Sequence, residues 1–65
     1  MTTELATRTN HGLDVCLEVT QDDTLRVTVT DFFADSPAGF VLETTSGERA
    51  LDMFYHPFAY YNERV

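Results

Sequence analysis

The chain has 65 residues, enough for one small domain that buries only about 60% of the surface exposed in its unfolded state. Hydrophobic residues make up 43% and charged residues 23%, as in globular proteins. The net charge of −7 argues against nucleic acid or an anionic membrane as a direct partner, because binding to either requires an excess of lysine and arginine. The single cysteine excludes an intramolecular disulfide, and without a membrane-length apolar run or a leader pattern we expect a cytoplasmic protein.

Residues 1–10 are polar and rich in threonine, and they are predicted to form either a flexible arm or a short extra strand. In the second case Asn10-His11-Gly12 would supply the turn that follows, because Asn and Gly tolerate the positive φ of tight turns. Residues 1–65 are predicted as a single small domain.

Two strands are predicted next from a strict alternation of apolar and polar residues, the period of a strand with one buried face. The polar segment 21–24 between them has turn-forming residues, so the two strands should form an antiparallel hairpin. The apolar positions are Leu13, Val15, Leu17 and Val19 in the first run and Leu25, Val27 and Val29 in the second.

A third strand is predicted over residues 38–44, where Phe40 and Leu42 continue the alternation. Phe32 and Phe33 interrupt the pattern before it, so one of these rings should face outward unless a bulge intervenes. Pro37 cannot donate to a strand ladder, which places it in the preceding loop.

The period then changes to that of a helix. Thr45 and Glu48 have the spacing of a capping box, and Leu51 and Phe54 are predicted to face the sheet. Pro57 should end the helix near residue 55 or 56. The predicted fold is therefore α+β: a three-stranded antiparallel β-meander, with the extra N-terminal strand as an option, followed by one C-terminal α-helix packed on one sheet face.

The C-terminal stretch ERALDMFYHPFAY (residues 48–60), which lies behind a TLRVTV strand, resembles the end of a group of short actinobacterial proteins with an RALDxFYHPFAY-like segment. The resemblance covers about the last two-thirds of the chain. It implies an actinobacterial source and a β-then-α layout, and it implies no activity and no site residues.

No residue pattern in the chain indicates an enzyme, a cofactor or a metal site. A nucleophile with a base, a phosphate loop and a cofactor fingerprint are all missing, and one cysteine and two distant histidines do not supply a zinc site. Cys16 is interpreted as an inert thiol on the polar sheet face, and His56 as a helix C-terminal cap that donates to a free carbonyl.

Two sets of residues are candidates for partner binding. The first is acidic and should lie on the exposed sheet face around Arg26, where cross-strand pairing is the alternative role. The second is aromatic, because tyrosine is favoured at protein interfaces, whereas Phe54 and Phe58 are assigned to the core. The candidates are Asp14, Glu18 and Glu43 in the first set and Tyr55, Tyr60 and Tyr61 in the second.

These observations predict a small non-enzymatic protein-interaction module, an adaptor or regulator, whose protein partner could carry a basic surface. One alternative is an acidic inhibitor of the phage type that imitates nucleic acid and occupies a basic groove. Another is a structural or assembly subunit. Because an open sheet leaves two edge strands, a weak homodimer is also expected.

Overall fold

The structure, a computed structural model, describes residues 3–10, 12–31 and 38–65. These residues form an antiparallel sheet in which the strands follow one another in chain order, with the C-terminal helical segments packed on one side. The elements are β1 (Thr3–Asn10), β2 (Leu13–Val19), β3 (Leu25–Asp31), β4 (Ala38–Thr44), α1 (Gly47–Tyr55) and a 3-10 helix (Pro57–Glu63).

The α+β class and the meander are confirmed, but the described part of the sheet has four strands and not three. The additional strand is β1, which pairs with β2 over its length and has an irregularity between Glu4 and Ala6. Its sequence lacks apolar alternation because it is an edge strand, and Ala6 is its main hydrophobic contact with the core. Gly12, with φ of 79°, belongs to the predicted turn after this strand.

The alternation in the middle strands places one set of side chains under the helix. Cross-strand partners Leu17, Val27 and Leu42 lie in one row of the sheet, and Val15 and Val29 lie in the next. Leu13, Leu25 and Phe40 pack around them as partly buried neighbours. Among the described residues, the buried hydrophobic core consists of Val15, Leu17, Val27, Val29, Leu42, Ala50, Met53 and Phe54.

Helix α1 begins one residue later than its predicted capping box. The side chain of Ser46, not that of Thr45, accepts a hydrogen bond from the backbone N–H of Arg49, at 3.2 Å. The predicted core position Leu51 is also wrong, since this side chain is 53% exposed and Met53 is buried in its place. Ala50, Met53 and Phe54 have the i, i+3, i+4 spacing of a single helix face, and Leu51 lies outside it.

Pro57 ends the regular helix as predicted and is the first residue of the 3-10 helix. Phe58 is 57% exposed, so its assignment to the core is wrong. Pro57 is buried, and Tyr60 is the aromatic residue of this segment that packs against the core cluster. The tighter 3-10 turn repeats every three residues, so an α-helical count carried past Pro57 selects the wrong ring.

Candidate functional site

The two predicted partner-binding sets lie on opposite sides of the molecule. Asp14, Glu18 and Glu43 project from the sheet face turned away from α1, which we call the open face. Tyr55, Tyr60 and Tyr61 belong to the helical layer on the other side. The structure therefore does not combine them into one surface.

The predicted acidic set is engaged within the open face. The Asp14 carboxylate accepts a hydrogen bond from the Thr9 hydroxyl at 2.7 Å, and Glu18 accepts one from Thr28 at 3.3 Å. Glu43 forms an ion pair with its cross-strand neighbour Arg26, with 3.2 Å between Nε and Oε2. This pair confirms the predicted structural role of Arg26 and contributes about 0.2–1 kcal/mol.

Cys16 also lies on the open face, and its thiol is a poor nucleophile. Desolvation is the largest cause that raises the pKa of this thiol, and the neighbouring Glu4 and Glu18 carboxylates raise it further. The Sγ atom donates to Glu4 at 3.4 Å, and the Thr7 hydroxyl donates to the same oxygen at 2.7 Å. These two bonds lower the pKa of Glu4, so the carboxylate stays charged beside a protonated thiol.

Three aromatic side chains on the opposite side form what we call the aromatic ridge: Tyr55, Phe58 and Tyr61. They are 60%, 57% and 45% exposed. Phe58 and Tyr61 are three residues apart in the 3-10 helix, a spacing at which side chains lie above one another on the same face. Both rings meet Phe40 of β4 edge to face, with centroids 5.5 and 5.0 Å from it.

A groove lies on each side of Phe58. One has a volume of about 410 Å³ and is bordered by Tyr55, Phe58 and Arg8. The other has a volume of about 330 Å³ and is bordered by Phe58, Tyr61 and Asp31. Phe58 is thus the shared wall of two aromatic-lined depressions near the end of the sheet where β2 begins.

Arg8 of β1 holds the Tyr55 end of the ridge. Its Nε donates to the carbonyl oxygen of Phe54 at 2.9 Å, and its Nη2 donates to that of Tyr55 at 3.1 Å. The guanidinium lies 5.6 and 6.0 Å from the two ring centroids. His56 is the C-cap residue of α1, as predicted: its side chain is exposed, and its backbone N–H donates to the carbonyl oxygen of Asp52 at 2.8 Å. Arg8 caps the two later carbonyls, those of Phe54 and Tyr55.

Arg64 has a similar relation to the other end of the ridge. Its guanidinium lies 4.2 Å from the Tyr61 ring centroid, and its Nη1 donates to the carbonyl oxygen of Tyr61 at 3.0 Å. The next residue, Val65, donates its backbone N–H to Val41 in the edge strand β4, at 2.8 Å. The C-terminal residues are thereby tied to the sheet beside the ridge.

Tyr60 differs from the other tyrosines because its hydroxyl has a partner on α1. It donates to the Asp52 carboxylate, and this bond raises the pKa of Tyr60. Arg49 lies over the ring, 5.3 Å from its centroid, and forms an ion pair with Glu63. This group of contacts ties the 3-10 helix to α1.

Sequence reasoning missed two members of this region. Phe58 was indistinguishable from a core residue, because apolarity alone does not report which side of a 3-10 turn a ring occupies. Arg8 lies in a polar segment 46 residues away from its main-chain partner, and no local pattern connects the two. Phe32, Phe33 and the loop expected before β4 lie outside the described residues, as does His11.

Within the described ranges, no three His, Cys, Asp or Glu side chains come together as metal ligands. No described helix has both the length and the apolar character needed to cross a membrane. Comparison of the chain with protein-family models, with curated proteins and with solved structures found no match.

Proposed function

We propose that this protein is a small, non-enzymatic protein-interaction module that binds its partner through the aromatic ridge. One observation carries the proposal: Tyr55, Phe58 and Tyr61 lie side by side and each leaves about half of its surface exposed. Aromatic rings supply large contact area and dominate the binding energy of protein interfaces. A 65-residue chain has few residues of this size, and placing three of them at the surface withholds them from the core.

Contacts from β4 and β1 support all three rings of the ridge. Phe40 supports Phe58 and Tyr61 through edge-to-face contacts, and Arg8 supports Tyr55. A surface that is already ordered before binding loses less entropy on association. The adjacent grooves offer places for apolar side chains of the partner on both sides of Phe58.

The open face supports a partner-binding role less well. Its candidate carboxylates are bonded to neighbouring Thr and Arg side chains, and Arg26 interrupts the row that contains Glu18 and Glu43. An imitation of a phosphate backbone would need carboxylates that remain available to a basic groove. We therefore propose the interaction module in preference to the acidic inhibitor of the phage type.

The assembly-subunit alternative has less support than the interaction module. On the edge strand β4, the Val41 carbonyl already accepts a hydrogen bond from the backbone N–H of Val65 in the same chain. A self-assembling sheet would need such edge groups for another copy.

The test is selection of binders from a random-peptide display library on the immobilised full chain. Phe58→Ser removes the centre of the ridge, and Leu5→Ser is the matched control, because Leu5 is 54% exposed but lies on β1 away from the ridge. We expect selected peptides to bind the native chain and the Leu5→Ser variant equally, and to lose at least tenfold in affinity for Phe58→Ser, about 1.4 kcal/mol.

Thermal melts of both variants must show a folded protein, which is expected because each side chain is more than half exposed. If no peptide is selected, or if the selected peptides bind Phe58→Ser as well as the native chain, the ridge is not a binding surface and the proposal is wrong.

A further inference from the structure

We infer that the aromatic ridge recognises a peptide segment with an apolar centre and an acidic residue at each end. This inference rests on the proposed function and adds the chemistry of the partner. It is drawn from the placement of the arginines, which the acidic composition of the chain does not suggest.

Two of the four arginines of the chain lie at the two ends of the ridge. Arg8 lies beside Tyr55, and Arg64 stacks on Tyr61. The other two are paired with carboxylates, Arg26 with Glu43 and Arg49 with Glu63. Arg8 and Arg64 instead donate to backbone carbonyl oxygens, each through some of its N–H groups, so both guanidiniums keep positive charge at the rim.

The centre of the ridge has a different character. Phe58 is its middle ring, and Asp31 lines the groove between Phe58 and Tyr61. A carboxylate of the partner placed there would lose water and find no cation among the described residues that line this groove, whereas an apolar side chain would cover aromatic surface. The same geometry therefore places acidic residues of the partner at the ends and apolar residues in the middle.

Four of the carboxylates that produce the net charge of −7 lie away from the ridge. Glu18 and Glu43 lie in the cross-strand row of Arg26, whereas Arg8 lies in the row of Val29. These two rows are three residues apart along β3, which is roughly 10 Å at about 3.3 Å per residue. Asp22 and Asp23 lie farther in the same direction, in the turn between β2 and β3. At physiological salt the Debye length is about 8 Å, so these carboxylates are largely screened at the ridge.

Charge also argues against a second copy of this chain as the occupant. In a two-fold pairing of the ridge with itself, the Arg8 end of one copy would meet the Arg64 end of the other. That arrangement opposes two positive charges at each end, on two molecules that each carry −7. A separate partner with acidic flanks avoids both repulsions.

The test uses the Phe58-dependent peptides selected above, together with charge variants of the full chain. We expect these peptides to be enriched in Asp and Glu on both sides of an apolar centre. Arg64→Gln should weaken their binding by roughly twofold to fivefold, the range of an exposed ion pair, and Arg64→Glu should weaken it further. Arg26→Gln is the matched control, because it changes the net charge equally but lies on the open face, where it pairs with Glu43.

The outcomes separate the two proposals. Phe58-dependent peptides with neutral or basic flanks would overturn the acidic-partner inference and leave the interaction module standing. Equal losses for Arg64→Gln and Arg26→Gln would also overturn it, because the effect would then come from net charge alone. Sedimentation of the free chain as a dimer that Phe58→Ser dissociates would assign the ridge to a second copy and overturn the inference. Failure to obtain any Phe58-dependent peptide would contradict the proposed function itself.

Discussion

Removal of the Arg8 side chain should destabilise the protein more than removal of other partly exposed arginines. Arg8→Met keeps an apolar stem of similar length and loses both hydrogen bonds to the last carbonyls of α1. Because β1 is an edge strand, this side chain is its main polar connection to the helical layer. The change therefore affects the end of the helix and the docking of the strand together.

The expected magnitude follows from these contacts. A hydrogen bond from a charged donor contributes about 1.5–3 kcal/mol, and a cation at a helix C-terminus about 0.3–1 kcal/mol. One of the two bonds is part-buried and the other is exposed, so we expect a total loss of about 2 kcal/mol. A domain of this size has only ~3–10 kcal/mol of stability, and its melting temperature should fall by roughly 8–16 °C.

The assay is urea denaturation together with thermal melting of the native chain and three variants. Arg8→Lys retains the charge and should lose about half as much as Arg8→Met. Arg64→Met also removes a guanidinium from an aromatic ring, but its hydrogen bond joins residues only three apart, so it should cost less than about 0.5 kcal/mol. Equal stability of Arg8→Met and the native chain would refute the capping role of Arg8.

Three further predictions concern the helix and the thiol. Met53→Ala should lower the free energy of unfolding by about 2–5 kcal/mol in urea denaturation, because Met53 is buried. Leu51→Ala should lower it by less than about 0.5 kcal/mol, because Leu51 is exposed. The reverse order would show that Leu51, as predicted from the sequence, faces the sheet. Ser46→Ala should cost about 1 kcal/mol and Thr45→Ala clearly less, and equal melting temperatures would contradict the observed cap. The raised pKa of Cys16 means that the folded state favours the protonated thiol over the thiolate. The stability gained in this way is fully present below the ordinary pKa of 9.0 and is lost as the pH rises through the raised pKa of the folded state. Alkylation of Cys16 near pH 9 should therefore be slower in the native chain than in urea, and equal rates would contradict the raised pKa.

Much of the fold was predictable because its signals are local. The period of two in β2 and β3 and the third run over residues 38–44 each depend on neighbours a few positions apart. The end of α1 before Pro57 has an equally local cause, since proline disfavours helical geometry in the residue before it. The candidate site is predictable only in part. The sequence indicates Tyr55, Tyr60 and Tyr61 as surface aromatics, but Tyr60 packs against the core cluster, and Phe58, which apolarity assigns to the core, is exposed.

The sequence by itself therefore determined the middle strands, the buried face of the sheet and the end of the helix before Pro57. The tertiary structure alone decided that β1 joins the sheet, because an edge strand of polar residues is stabilised by pairing with β2 and not by a hydrophobic pattern. It also decided between Leu51 and Met53, because both are apolar and the angle at which α1 docks selects which one is buried. The aromatic ridge has the same origin: the rings are in the sequence, but their exposure and the arginines beside them depend on contacts between distant residues, such as Arg8 and Phe54.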